Sequence, residues 1–337
     1  MKELKILAVL VFFTGIMYWG IEPYAHHVFH PAVKPADFTF SDLHPAAESE
    51  TAVAGERERV LKMIESGDAE AGRLAVETNC AACHTINAAG IAMMDNQMLI
   101  DANGLLPPDL SNATSLYDEV FLMEFIKNPA NAAFVTTHAL HQKEKMVSAM
   151  EAGGNGEALR HSMQRAIDGF NAKVQGSFTK MPGYEWLGEQ EIANILAFLR
   201  TTAKPIDQIS GKEVTVNACA RCHSISYDKV DVQGDLENIA AYLGATPPDL
   251  SVMIISHKAG YLNTFVNDPQ KHLLGTGMPR VGLTEAAQEK VVSYLDKVGD
   301  PKKDERNSLG IWFVIYFAIL AILAYAWKHN EFEEIGK

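Results

Sequence analysis

CAACHTI, residues 80–86, returns as CARCHSI at residues 219–225, and the two stretches use all four cysteines of the 337-residue chain. The surrounding sequence repeats as well. PPDL begins at Pro107 and again at Pro247, and FIKNP at Phe125 matches FVNDP at Phe265, each at an offset of 140 residues. A Met-Pro pair follows in each half, Met181-Pro182 and Met278-Pro279, at an offset of only 97. The first half therefore carries about 43 extra residues, an insert at about 131–175. A repeat of this length means two copies of a domain, not a solenoid.

Both copies follow one helical plan. A helix leads into the first cysteine of each motif, DAEAGRLAVETNC and then GKEVTVNAC. A second lies after PPDL, SLYDEVFLMEFIKN and then SHKAGYLNTFVND, and a last one follows the methionine, GEQEIANILAFLR and then TEAAQEKVVSYLDKV. The Asn-Pro and Asp-Pro pairs end the middle helices, because proline disfavours a helical residue before it. Within the insert, EALRHSMQRAIDGF has helical apolar spacing, and the rest reads as Gly/Ala/Asn-rich loop. Strand-like alternation is scarce, so the predicted fold is mainly all-α. The predicted divisions are an extended Pro- and His-rich linker over 22–54, a first domain over 55–203 and a second over 204–300.

Cys-x-x-Cys-His is the attachment signal of a c-type haem. Two intervening residues let one helical turn present both sulfurs to one porphyrin edge, where they form thioethers, and the adjacent histidine points at the iron. Cys80, Cys83, Cys219 and Cys222 are thus candidate attachment points for two covalently bound haem c groups, with His84 and His223 as iron ligands. A zinc site built from two Cys-x-x-Cys pairs and a pair of disulfides are the competing readings. The full five-residue unit, repeated with no spare cysteine, favours haem.

A six-coordinate haem needs a second axial ligand, and a methionine thioether favours the reduced iron. Met181 and Met278 hold the expected place, in proline-stiffened loops before each last helix. Met146, Met150, Met163, His138, His141 and His161 in the insert compete with Met181, and His272 competes with Met278; Met93, Met94 and Met123 read as filler. The Nδ1–H of each ligand histidine needs an acceptor, and the carbonyls of Pro108 and Pro248 are candidates, against a plain turn role for PPDL. Tyr184 and Trp186 are candidates to pack on a porphyrin, and Arg280 to meet a propionate. The run His26, His27 and His30 reads as a solvated or interfacial segment more than as a metal site.

The ends differ from the middle. Leu4–Ile21 and Leu309–Trp327 are each about long enough to cross a bilayer as a helix, with Trp19, Trp312 and Trp327 near their ends. The N-terminal run could also be a cleaved signal peptide, but no A-x-A site follows it, which favours a retained helix. Lys2 and Lys5 favour an inside N-terminus, whereas PKKDER before the second span opposes the return of the C-terminus to the inside. Haem attachment takes place on the side away from the cytoplasm, which puts residues 22–308 outside. The net charge of −13 makes nucleic acid an unsuitable partner and would steer a basic protein.

Each half resembles a class I cytochrome c domain, over roughly residues 65–202 and 208–299. With MKELKILAVLVFFTGIMYWGIEPYAHH at the start and WKHNEFEEIGK at the anchored end, the chain is similar to the dihaem cytochrome c subunit that replaces cytochrome c1 in epsilonproteobacterial-type cytochrome bc1 complexes. It departs from ordinary cytochrome c1 in having two haem motifs and a hydrophobic N-terminus. The resemblance implies an inner-membrane subunit with periplasmic haem domains and partners cytochrome b and the Rieske iron–sulfur protein. It further implies a soluble cytochrome c as acceptor, a quinol such as menaquinol as the electron source, a dimeric complex, and no catalytic chemistry of its own. A c-haem subunit of a cbb3-type haem–copper oxidase is the alternative; a dihaem peroxidase, which needs one open iron site, fits two Met-Pro loops less well.

Overall fold

The structure, a computed structural model, describes residues 2–29, 50–92, 94–154, 156–177 and 180–335. The linker residues 30–49, including His30, and Met93 lie outside the described residues, as do the side chains of His26 and His27. The chain divides into two units, one of residues 1–33 and 300–337 and one of residues 34–299.

In the first unit, α1 (Lys2–Ile16) runs through a π-helical turn, Met17–Ile21, into α2 (Glu22–Phe29). The extended linker expected from residue 22 is therefore helical at its start. Pro23 would drive its ring into the carbonyl four residues earlier, that of Trp19, in a regular α-helix. The wider π turn falls on that carbonyl and lets the helix continue.

The second unit opens with α3 (Glu50–Glu65), of which only residues 50–54 fall where linker was expected, and α4 (Ala69–Asn79). Val60 and Ile64 on α3 are buried, and Arg57 pairs with Asp118. Burial of two such side chains is worth about 1.5–3 kcal/mol each. There follow α5 (Asn96–Asn103), α6 (Ala113–Leu116), α7 (Glu119–Lys127) and α8 (Pro129–Phe134). Asn128 ends α7 and its side chain accepts from the Asn131 amide to cap α8, with Pro129 in the first turn. One Asn-Pro pair thus stops one helix and starts the next.

The insert holds two helices, α9 (Thr137–Ala152) and α10 (Glu157–Ala172). The first occupies sequence expected to be loop. It has the Thr136 side chain as its N-cap, no Pro or Gly inside, and Gly153 and Gly154 at its end. α11 (Gly188–Thr202) closes the first copy. The second copy contains α12 (Gly211–Cys219), α13 (Leu236–Leu243), α14 (Met253–Phe265), α15 (Pro269–His272) and α16 (Glu285–Gly299). Among the described residues there is no strand, only isolated bridges, in agreement with the predicted all-α class.

In each copy the first helix crosses the last at a glycine. A Cβ on Gly72 would lie 1.9 Å from the Asn194 carbonyl oxygen, and one on Gly211 2.8 Å from that of Lys290. The two copies also share one hydrophobic core, in which Ile64, Leu116 and Leu196 are continuous with Ile209, Ile225 and Leu295. Backbone bonds join them: Leu106 N–H to Gln233 O at 2.8 Å, Asp118 N–H to Gly282 O at 2.9 Å, and Thr284 N–H to Leu116 O at 2.9 Å. The two domains are therefore one packed body.

The last helix, α17 (Lys303–Ile335), belongs to the first unit and outruns the predicted span at both ends, where the Lys, Arg and Glu residues of KDERNS and KHNEFEEI favour helix and neither stretch holds a Gly or Pro to stop it. Lys5–Ala25 and Lys303–Glu331 are long and apolar enough to cross a membrane.

Candidate functional site

Each haem motif is placed by a capped helix. The Asp68 carboxylate accepts from the amides of Glu70 and Ala71 at the start of α4, and the Ser210 hydroxyl accepts from Glu213 at the start of α12. Where α4 ends, the amides of Cys83 and His84 both donate to the Cys80 carbonyl, at 3.1 and 2.9 Å. In the second copy Cys222 and His223 donate to the Cys219 carbonyl at 3.1 and 3.0 Å. Cys80, Cys83 and His84 thus share one turn, as do Cys219, Cys222 and His223. No disulfide joins any of the four cysteines.

The PPDL stretch lies directly against this turn. His84 Nδ1 is 2.9 Å from the Pro108 carbonyl oxygen, and His223 Nδ1 is 2.7 Å from that of Pro248. The next residues clamp the chain after each histidine. Leu110 N–H donates to Thr85 O and Leu250 N–H to Ser224 O, both at 2.9 Å. The Asp249 carboxylate accepts from the hydroxyls of Ser224 and Ser226, each at 2.7 Å, and Asp109 accepts from Thr85 at 3.3 Å. The Ser111 and Ser251 hydroxyls accept from the amides of Ala88 and Tyr227, each at 3.0 Å. Sequence reasoning missed Asp109, Ser111, Asp249 and Ser251. The signal was present, since the repeat extends one residue further as PPDLS.

Electrostatics favour neutral ligands. Burial pushes both His84 and His223 below the usual imidazole value, against the opposing effect of the proline carbonyls. Burial pushes the Cys80 thiol up to about 11 and the Cys219 thiol up to about 12. Partial burial raises Asp249, but hydrogen bonds from Ser226, Ser251 and Ser224 outweigh it and hold its carboxyl well below the usual range.

The Met-Pro loops are equivalent by hydrogen bonding. Three residues after Met181, Tyr184 N–H donates to Ile126 O at 2.9 Å; three after Met278, Val281 N–H donates to Val266 O at 3.3 Å. Both methionines are half-buried. Of the competing residues, Met146, Met150, His138 and His141 lie on α9, Met163 and His161 on α10, and His272 is exposed at the end of α15. Trp186, a candidate for porphyrin packing, is 70% exposed. Tyr184 is half-buried and its hydroxyl donates to Asn79 O at 3.0 Å. Arg280 is buried.

The donor set fits haem. With Nδ1 engaged, Nε2 is the nitrogen each histidine has for iron. Among the described residues no three His, Cys, Asp or Glu side chains converge as a metal cluster, so the cysteines are not gathered into one zinc site. Among the described residues, the buried donors that have no hydrogen-bond partner include Nε of Arg221, between the cysteines of the second motif, and the Tyr117 hydroxyl of the first copy. Arg221 acts electrostatically on both Tyr117 and His84. Orphaned buried donors beside the motifs are what a group with carboxylate arms would satisfy.

A cytochrome c family profile matches residues 69–152 and 209–299, together more than half of the chain, and the chain belongs to the cytochrome c family. The first match ends before the Met181 loop and the second contains Met278. Curated proteins and solved structures gave no match. The family membership carries covalently bound haem c, and two matched regions are consistent with two haems.

Proposed function

We propose that the chain is a membrane-anchored dihaem cytochrome that accepts electrons from the Rieske protein of a quinol–cytochrome c oxidoreductase and delivers them to a soluble cytochrome c. The observation that carries this reading is the pair of Cys-x-x-Cys-His turns held in one body with a shared core, in a chain with an apolar helix near each end. Bound haem supplies a reversible one-electron iron couple. The chain's own residues do the rest. Cys80 and Cys83, and Cys219 and Cys222, would anchor the two groups; His84 and Met181, and His223 and Met278, would hold their irons; Pro108 and Pro248 orient the histidines. The shared core fixes the separation of the two sites, which an electron hop requires. The charge of −13 suits a basic acceptor. Cytochrome b and the Rieske protein are the membrane partners, in a dimeric complex with the haem domains on the periplasmic face.

The test is purification through a C-terminal tag in mild detergent, with a reduced-minus-oxidised spectrum and mass identification of co-purifying chains. Cytochrome b and a Rieske protein are expected. A copper-containing oxidase core would assign the chain to a haem–copper oxidase instead, and recovery alone would make it a free membrane electron shuttle.

A further inference from the structure

The insert that separates the two Met-Pro offsets packs on the second copy. Its helices α9 and α10 contribute Ala139 and Phe170 to a buried cluster with Val135 and Leu274, the last from the second copy's methionine loop. Lys173, just beyond α10, is buried, and its Nζ donates to the Gly275 carbonyl at 2.9 Å. Gly275 sits at φ +80°, and a Cβ there would lie 2.5 Å from the Ala166 carbonyl oxygen on α10. Loop and insert therefore meet backbone to backbone. On the other side of Met278, Arg280 N–H donates to the Ala133 carbonyl at 2.8 Å. Bonds three residues before and two residues after Met278 thus come from the first copy, both within or beside the insert. They add to the loop anchor that both copies share, the bond from Val281 to Val266 or from Tyr184 to Ile126.

We infer that the insert of the first copy is a clamp on the Met278 loop of the second, holding that thioether in place as an iron ligand. The inference rests on the reading of Met278 as axial ligand. Lys173, Phe170 and Gly275 are then positioning residues for the second site, and they make one copy's ligand field depend on the other copy's fold. A loop held on both sides has less freedom to carry its sulfur away from the metal, so the ligated state is favoured and the potential of that site is raised.

The test uses the whole detergent-solubilised chain with both haems. Met278→Ala identifies the second site by removing one of two thioether-to-ferric-iron charge-transfer bands. Lys173→Met keeps the side-chain stem but removes the bond to Gly275, and Phe170→Ala opens the cluster beside Leu274. In both variants the second-site band is expected to disappear at lower temperature, with an about tenfold smaller constant for thioether ligation and a lower potential. The first-site band and potential should stay at their parent values, which also reports correct folding. The clamp is overturned if Met278→Ala removes a band while Lys173→Met and Phe170→Ala leave that band and potential unchanged. Retention of both bands in Met278→Ala would instead overturn the ligand assignment, and the clamp with it.

Discussion

His223 Nδ1 lies 2.7 Å from the carbonyl oxygen of Pro248. A carbonyl only accepts, so Nδ1 carries the proton and Nε2 keeps its lone pair for a metal. The same relationship holds between His84 and Pro108. A rigid Pro-Pro step presents the carbonyl, and the Asp and Ser that follow lock that step to the chain just after the histidine.

Asp249→Ala tests this lock. It leaves the hydroxyls of Ser224 and Ser226 and the Ser251 amide without their acceptor. Loss of charge-assisted bonds of this kind costs about 2 kcal/mol. Denaturant unfolding followed at the haem absorbance should show a lower midpoint at unchanged slope.

The glycine crossings make a second prediction. Gly72→Ala places a Cβ 1.9 Å from the Asn194 carbonyl oxygen, and Gly211→Ala one 2.8 Å from that of Lys290. Overpacking that forces helices apart costs about 1–3 kcal/mol, and the closer approach makes Gly72→Ala the costlier of the two. Thermal melts of both variants check the order.

Glu189 joins three helices of the first copy, through Lys127 at 2.7 Å and Arg59 at 2.9 Å. The Lys127 bond lowers its pKa, burial opposes this, and Arg59 lowers it further. A carboxyl depressed in the folded state contributes stability that is complete above the unfolded value of about 4.3 and lost as pH falls through the folded one. Glu189→Gln should cost about 0.5–1 kcal/mol at neutral pH, as for partly exposed pairs. Melting temperatures of parent and variant should converge as the pH drops below about 4.

Cys219→Ala with Cys222→Ala, and separately Cys80→Ala with Cys83→Ala, should each halve the covalent haem per chain. Haem staining after denaturing electrophoresis, scaled to protein, reads this directly. A full loss in either double variant would mean that the shared core makes one site depend on the other for folding.

The fold class and haem motifs were legible because their signals are local. The Cys-x-x-Cys-His units, the paired proline stops and the apolar spacing of α11 and α16 lie in short windows. The helices α5 and α13 were missed although each opens on a capping Asp, Asp95 or Asp235, and closes on a left-handed glycine, Gly104 or Gly244. They are only eight residues long, too short for periodicity to stand out. The packing of the insert on the Met278 loop was not legible at all. It depends on contacts such as Lys173 to Gly275, 102 residues apart, and no local pattern encodes a partner at that separation. The same holds for Arg221, whose role follows only from the first copy's Tyr117 and His84 lying near it.

The most direct test of two fully ligated haem sites in one chain is the electron paramagnetic resonance spectrum of the oxidised, detergent-solubilised protein, with spins counted against protein. Two low-spin ferric haems per chain and no high-spin signal are the expected result. A single haem spin per chain, or a high-spin signal of comparable size, would contradict the account.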